Sequence, residues 1–331
     1  MSEPWYLREY AVLFYALVAI FGLLAGSFLN VVIFRVPRGV SIVRPRSFCP
    51  RCRRPIPWYE NIPVASYVAL RGRCRGCGEA ISIVYPLIET LGAALAVLST
   101  WRFGFTAGAA FAYAFLMALA AITVIDWRFR IIPDGISIPF IAAGLLWSAI
   151  DPARSLASSA LGAAVGGGGL LAVALVYKLV RKVDGLGGGD VKLMAMVGAF
   201  LGVKLALLVI LLASLAGSVY GVALMRSGKS ARTAVAFGSF LAPAAAVCLL
   251  GGTPLVTWYV SMFSALGTLH TNLAFLFPVF PGGVFRSCNR LYSFQMRYPV
   301  RRPRWHACCV FERNEEIGPF GNRAVGQYKI D

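Results

Sequence analysis

Two aspartates in this chain stand beside apolar segments, in positions where a carboxylate could do chemistry. Asp190 directly follows the glycine-rich run 185–189 and directly precedes a long apolar stretch. We expect a helix to begin there, because its free N–H groups and dipole favour a negative charge. Asp126 lies at the end of another apolar segment, where a helix dipole disfavours a carboxylate. We therefore expect Asp126 to have a functional role. A simple N-cap would also explain Asp190.

Two aspartates held at one membrane depth would share a proton and titrate as a pair. One carboxylate can then take a proton from water while the other donates one to the oxygen of a scissile carbonyl. The chain has no credible Ser/His or Cys/His pair, because its histidines, His270 and His306, lie in or beside an irregular C-terminal stretch. Asp134 follows Pro133, fits an ordinary helix cap and is the weaker candidate for a partner of Asp190.

Four cysteines form two Cys-x-x-Cys motifs with 21 residues between them: Cys49, Cys52, Cys74 and Cys77. This spacing predicts a tetrahedral, structural zinc site, and the arginines around the motifs favour the thiolate form. Two disulfides or a redox pair are the alternative, but a cytoplasmic location argues against stable disulfides. The segment is too poor in apolar residues to fold alone, so metal binding would supply folding free energy.

The elements that must position these groups are apolar helices. The chain is 58% hydrophobic and 14% charged, with a mean hydropathy of +0.71, whereas soluble proteins carry about 25% charged residues. Its apolar segments predict an all-α polytopic membrane protein with about eight transmembrane helices. The predicted segments are 10–34, 85–101, 103–125, 135–150, 155–177, 191–203, 205–225 and 234–252.

Basic residues are concentrated on one side of the predicted membrane. With eight alternating spans, most Lys and Arg residues before the tail fall in the same-side loops 35–75, 128–130, 178–192 and 226–232. By the positive-inside rule this side is cytoplasmic and the N-terminus is outside. This asymmetry explains the net charge of +18 without a nucleic-acid partner, and it suggests contact between the loop at 35–75 and anionic lipid headgroups.

The chain divides into four predicted parts. Its last part shows no periodic pattern, and His306, Cys308 and Cys309 there lack the spacing of a metal site. We expect a first transmembrane helix at 1–34, a cytoplasmic zinc-binding loop at 35–84, a transmembrane aspartyl protease core at 85–262 and an atypical C-terminal tail at 263–331.

Three further features allow simple structural explanations. Asn30, near the end of the first segment, is expected to hydrogen-bond a neighbouring helix. Glu89, in the second segment, is either a functional acid or the partner of an arginine. The break at Phe237-Gly238-Ser239, within the last apolar segment, predicts a packing kink and by itself no chemistry.

Together these motifs resemble those of the bacterial type IV prepilin peptidases. The family's Gly-x-Gly-Asp signature is present as Gly187-Gly188-Gly189-Asp190, and Asp126 with Pro133-Asp134 is similar to its first catalytic segment. The run 26–37, the four cysteines and Tyr85–Glu89 are similar to its N-terminal portion. The resemblance covers roughly residues 11–259, and it implies Asp126 and Asp190 as catalytic residues and the four cysteines as zinc ligands.

The resemblance implies an enzyme of the bacterial inner membrane that cleaves the basic leader from type IV prepilins and type II secretion pseudopilins at the cytoplasmic face. It also implies N-methylation of the new N-terminus with S-adenosylmethionine, whose binding residues the sequence does not reveal. The alternatives are a peptidase without methyltransferase activity, a zinc-dependent membrane scaffold and a transporter. A scaffold would tolerate loss of both aspartates, whereas a transporter should show repeats or interrupted helices near mid-membrane.

Overall fold

A computed structural model describes residues 5–183, 187–227, 236–252 and 257 of the chain. The predicted tail at 263–331, with both histidines and Cys308 and Cys309, lies outside the described residues, as do positions 184–186 of the glycine-rich run. The helices are α1 (Trp5–Arg35), α2 (Ala65–Ala69), α3 (Val84–Phe103), α4 (Ala107–Phe129), α5 (Asp134–Ile150), α6 (Leu156–Arg181), α7 (Gly188–Arg226) and α8 (Gly238–Gly252).

The prediction of an all-α polytopic membrane protein is confirmed. Five helices, α1, α3, α4, α6 and α7, are long and apolar enough to cross a membrane, and α5 and α8 are shorter apolar helices. The 39-residue α7 contains a non-helical residue, Gly202, with φ 74° and ψ 176°. The two predicted segments 191–203 and 205–225 are therefore the two halves of α7, and the break lies at Gly202.

Glycines bring the backbones of α6 and α7 into direct contact. A Cβ atom built on Gly162 would lie 2.2 Å from the carbonyl oxygen of Gly198, and one built on Gly198 would lie 2.0 Å from that of Gly162. The contact between α1 and α3 is similar, because a Cβ on Gly92 would lie 2.5 Å from the oxygen of Gly22. Small residues stabilise such contacts in membranes because dispersion attraction acts between closely packed backbones.

The break in α7 is held by one side chain from the start of α6 and one from the turn before it. Ser159 Oγ donates a hydrogen bond of 2.6 Å to the carbonyl oxygen of Ala199, and the Arg154 guanidinium donates one to that of Phe200. These carbonyls precede the break, where a helix end leaves acceptors without intrahelical partners. Arg154 also lies 4.0 Å above the ring of Trp147, which fixes its position.

Two polar side chains tie α1 and the following loop to α3. Asn30 Nδ2 donates a hydrogen bond of 3.0 Å to the Tyr85 carbonyl oxygen, which confirms its predicted contact with a neighbouring helix. Glu89 Oε2 accepts a hydrogen bond of 2.7 Å from the Val64 backbone N–H, and no arginine in the described part of the chain forms an ion pair with it. Glu89 therefore fastens the loop that precedes α3 to this helix.

We expect the variant Gly162→Ala to be destabilised by about 1–3 kcal/mol, because its new Cβ would overlap the backbone of α7. The matched control is Gly168→Ala, on the same helix, where a Cβ would have no neighbour within 4 Å. That variant should be neutral or more stable by about 0.5–1 kcal/mol. Thermal unfolding in detergent measures both, and equal unfolding midpoints would contradict the proposed packing.

Candidate active site and cysteine cluster

Asp126 lies at the end of α4 and is only 5% exposed. Its Oδ2 accepts a hydrogen bond of 2.6 Å from the Ser239 backbone N–H and one of 2.9 Å from the Ser239 hydroxyl. The first turn of α8 contains Ser239, and the N–H groups of a first turn have no intrahelical acceptor. The N-terminus of α8 thus compensates the unfavourable position of Asp126 at the C-terminal end of its own helix.

Asp190 lies in the first turn of α7 and is 9% exposed. Its backbone N–H donates a hydrogen bond of 3.1 Å to the Gly187 carbonyl oxygen, which forms the turn that starts the helix. The helix begins at Gly188, two residues before the predicted start at Asp190, and the N-cap is Gly187 rather than Asp190. The carboxylates of Asp190 and Asp126 are close enough to interact electrostatically. We call these two residues the aspartate pair.

Ile132, six residues beyond Asp126, lies against the starts of both α7 and α8. A Cβ atom on Gly189 would lie 2.9 Å from Ile132 Cβ, and one on Gly238 would lie 2.7 Å from Ile132 Cδ1. A Cβ on Gly238 would also lie 3.0 Å from Asp126 Oδ2. Both glycines are therefore needed for the two helix N-termini to approach the end of α4 closely.

Asp134 has a different environment from the aspartate pair. Both of its carboxylate oxygens accept hydrogen bonds of 2.7 Å from Lys192 Nζ, and the two side chains are about half exposed. This ion pair joins the first turns of α5 and α7. An exposed pair of this kind contributes about 1 kcal/mol at most, so its main effect is to set the distance between these helix starts.

The sequence identified both aspartates but missed the residues that surround them. Nothing in the sequence linked Ile132 or Lys192 to this site, because their contacts arise only from tertiary packing. Ser239 had a local signal, since a Gly-Ser pair directly before an apolar run has the composition of a helix N-terminus. That signal predicts a helix start, but not that the start lies against Asp126.

The four cysteines come together in the loop after α1. Their Sγ atoms all lie within 4.8 Å of one another, and those of Cys49 and Cys77 are 3.9 Å apart. A zinc ion bound tetrahedrally at about 2.3 Å from each sulfur requires sulfurs about 3.8 Å apart. The cysteine cluster, consisting of Cys49, Cys52, Cys74 and Cys77, therefore fits a zinc ion.

Each Cys-x-x-Cys motif has the same backbone turn. The Arg53 N–H donates to the Cys49 carbonyl oxygen at 2.9 Å, and the Gly78 N–H donates to the Cys74 carbonyl oxygen at the same distance. Arg53 and Gly78, which follow the second cysteine of each motif, both have positive φ, at 57° and 72°. Such turns direct both sulfurs of a motif to one side, as a shared metal ion requires.

Hydrogen bonds to sulfur prepare Cys74 for metal binding. Donation from the backbone N–H of Cys77 and, next, of Gly76 lowers the pKa of Cys74 to about 7. The thiolate is the form that binds metal, so this thiol needs little further stabilisation to become a ligand near neutral pH.

Glu60 links the two halves of the loop. Its carboxylate, on a side chain only 8% exposed, lies 2.9 Å from Arg54 and 3.5 Å from Arg75. The hydrogen bond to Glu60 is also the main reason that the pKa of Arg54 is raised. Arg54 lies two residues after the first motif and Arg75 lies inside the second, so one acid offsets the repulsion between the arginine-rich halves.

The fold and the site define a polytopic helical membrane protein with a buried aspartate pair at one end of its helices and a cysteine cluster after the first helix. Residues 20–103 match the bacterial peptidase A24 N-terminal domain, and residues 113–222 match the type IV leader peptidase family. The chain belongs to the type IV leader peptidase family. The resemblance inferred from the sequence motifs is thereby confirmed.

Relatives named prepilin leader peptidase/N-methyltransferase cover most of the chain. The one from Aeromonas salmonicida (strain A449) is 36% identical over 285 residues, 78% of this chain and 95% of the relative. The one from Pseudomonas aeruginosa is 35% identical over 279 residues, which are 77% of this chain and 96% of the relative. The one from Neisseria gonorrhoeae is 38% identical over 256 residues, which are 69% of this chain and 87% of the relative. No solved structure matches the chain.

We expect the protein to purify with zinc and the variant Cys74→Ser to lose most of it, because the variant keeps only three of the four thiolate ligands. The control is Cys248→Ser, which changes a buried cysteine of α8 outside the cysteine cluster. Metal analysis of both purified variants gives the zinc content per chain. Full zinc content in Cys74→Ser would contradict the assignment.

Proposed function

We propose that the chain is a membrane aspartic peptidase that removes the leader peptide from prepilins, with Asp126 and Asp190 as its catalytic residues. The observation that carries this proposal is the buried aspartate pair between the end of α4 and the starts of α7 and α8. Membership of the type IV leader peptidase family supports the same reaction. The names of the relatives supply prepilins as the substrate class.

In the proposed reaction the aspartate pair shares one proton. The ionised carboxylate takes a proton from a water molecule, whose oxygen attacks the scissile carbonyl carbon. The protonated carboxyl donates its proton to the carbonyl oxygen, and a tetrahedral diol forms. The C–N bond then breaks, the leaving nitrogen takes the proton held by the first carboxylate, and the carbonyl reforms as its hydroxyl returns a proton to the second.

The position of the aspartate pair suits a substrate that is partly in the membrane. Both carboxylates lie at helix ends, and Arg128 and Arg130 lie two and four residues after Asp126. By the positive-inside rule we place this end of the helices at the cytoplasmic face of the bacterial inner membrane. The apolar segment of a prepilin or pseudopilin can then remain in lipid while its polar leader reaches the site from water.

The cysteine cluster gives the proposed enzyme a rigid cytoplasmic loop. We assign Cys49, Cys52, Cys74 and Cys77 as ligands of a structural zinc ion, which would crosslink the two halves of the loop. The hydrogen bond between Glu89 and Val64 then fixes the loop to α3. Most of the surrounding arginines are exposed, so the loop can contact anionic lipid headgroups.

The relatives' names also include N-methyltransferase, and we extend this activity to the chain. Its methyl donor would be S-adenosylmethionine, and the acceptor is the new N-terminus that cleavage produces. We do not assign residues to this second reaction. We also propose the division into a first helix at 1–34, a zinc-binding loop at 35–84, a protease core at 85–262 and a tail at 263–331.

We expect Asp126→Asn and Asp190→Asn each to lower the rate of prepilin cleavage by at least about a thousandfold, because an amide cannot transfer the required proton. The measurement is cleavage of a prepilin in liposomes by the full-length chain and by each variant. The control is Asp134→Asn, which removes the charge of an exposed, ion-paired aspartate and should retain most of the activity.

Each other outcome of this experiment has a definite meaning. If Asp126→Asn cleaves normally and Asp134→Asn does not, Asp134 is the partner of Asp190. If all three variants cleave as the unchanged chain does, the peptidase mechanism is wrong. If the variant Cys74→Ser loses zinc but still cleaves prepilin at the normal rate, the zinc site is not needed for cleavage.

A further inference from the structure

We propose that Ser239 is a positioning residue that holds Asp126 as the water-activating carboxylate of the peptidase reaction. Ser239 is 6% exposed, and both of its donors reach the same oxygen, Oδ2 of Asp126. The inference rests on the proposed function, because it assigns different roles to the two aspartates of that reaction.

The two contacts fix the hydrogen-bonding state of Oδ2. A backbone N–H can only donate, so the 2.6 Å contact with the Ser239 nitrogen requires Oδ2 to act as an acceptor. The hydroxyl contact of 2.9 Å occupies the same oxygen a second time. A carboxylate oxygen offers about two acceptor positions, so Oδ2 is fully used by Ser239. The oxygen left to receive a proton from water is therefore Oδ1.

The surroundings of Asp126 favour its charged form over that of Asp190. Both aspartates lie at helix N-termini, but the Asp126 carboxylate accepts two hydrogen bonds from Ser239, whereas that of Asp190 accepts one from the Gly187 backbone. Such donors stabilise a carboxylate, and Asp126 has more of them. The charged groups that interact with Asp126 among the described residues are Arg130, which also favours the anion, and Asp190 itself. The nearby Lys192 and Asp134 neutralise each other. The shared proton of the aspartate pair thus belongs on Asp190.

This arrangement assigns each step of cleavage to an atom. Asp126 Oδ1 takes the proton from water, and Asp190 donates its proton to the scissile carbonyl oxygen. Ser239 acts through Asp126: it holds the plane of the Asp126 carboxylate while the other oxygen changes its protonation state. Gly238 makes the contact possible, since a Cβ atom there would lie 3.2 Å from Asp126 Cγ.

The test compares Ser239→Ala and Ser239→Thr in the full-length chain. Ser239→Ala removes the hydroxyl donor and keeps the backbone N–H, so kcat for prepilin cleavage should fall by about ten- to a hundredfold while KM stays unchanged. This range corresponds to the loss of one hydrogen bond to a charged group. Ser239→Thr keeps a hydroxyl on Cβ and should restore kcat to within about threefold of the unchanged chain.

The matched control is Ser137→Ala, a fully buried serine whose hydroxyl donates to the Pro133 carbonyl oxygen at the start of α5 and, among the described residues, to no other acceptor. It should leave kcat unchanged. A kcat for Ser239→Ala within twofold of the unchanged chain would overturn the inference. The inference would also be overturned by a rise in KM with an unchanged kcat, or by a Ser239→Thr variant as slow as Ser239→Ala. A loss of activity that is fully explained by the fraction of unfolded Ser239→Ala protein would overturn it as well.

The outcome separates this inference from the proposed function. If Asp126→Asn is inactive and Ser239→Ala is normal, only the role of Ser239 is wrong. If Asp126→Asn is active, the peptidase mechanism itself is wrong, and no role for Ser239 follows from it.

Discussion

The structure depends on how two buried carboxylates are stabilised among apolar helices. A charge removed from water costs several kcal/mol unless oriented dipoles or hydrogen bonds replace its hydration. Here each aspartate lies at a helix N-terminus: Asp190 in the first turn of its own α7, and Asp126 against the first turn of α8. The same N–H groups that lower this cost also fix where each carboxylate stands.

This constraint explains why the surrounding elements approach so closely. A helix N-terminus stabilises a charge only within about one turn, so α7 and α8 must both reach the end of α4. Gly189 and Gly238 allow that approach, because Ile132 occupies the space that a side chain would need at either position. Further along α7, the glycine contact with α6 holds the helix that carries Asp190. Packing far from the aspartate pair therefore contributes to its geometry.

The elements that follow from local composition were predictable, and the tertiary contacts were not. Hydropathy predicted the apolar segments, and the Cys-x-x-Cys spacing predicted the cysteine cluster, because both are properties of neighbouring residues in the chain. The start of α7 at a glycine run with an aspartate was equally readable. Ser239 and Asp126 are 113 residues apart in sequence, and no periodicity or motif in one chain reports a contact over that separation. Glu89 illustrates the same limit, since its partner is a backbone N–H that any residue could supply.

The short helices around the site have a consequence for the lipid beside them. The 17 residues of α5 span about 25 Å, and the part of α7 before Gly202 is shorter still. The hydrocarbon core of a bilayer is about 30 Å thick, and a protein segment shorter than this thins the bilayer locally. We therefore expect the bilayer next to α5 and the first part of α7 to be thinner than elsewhere, which would bring the headgroup layer, and its water, down to the depth of the carboxylates.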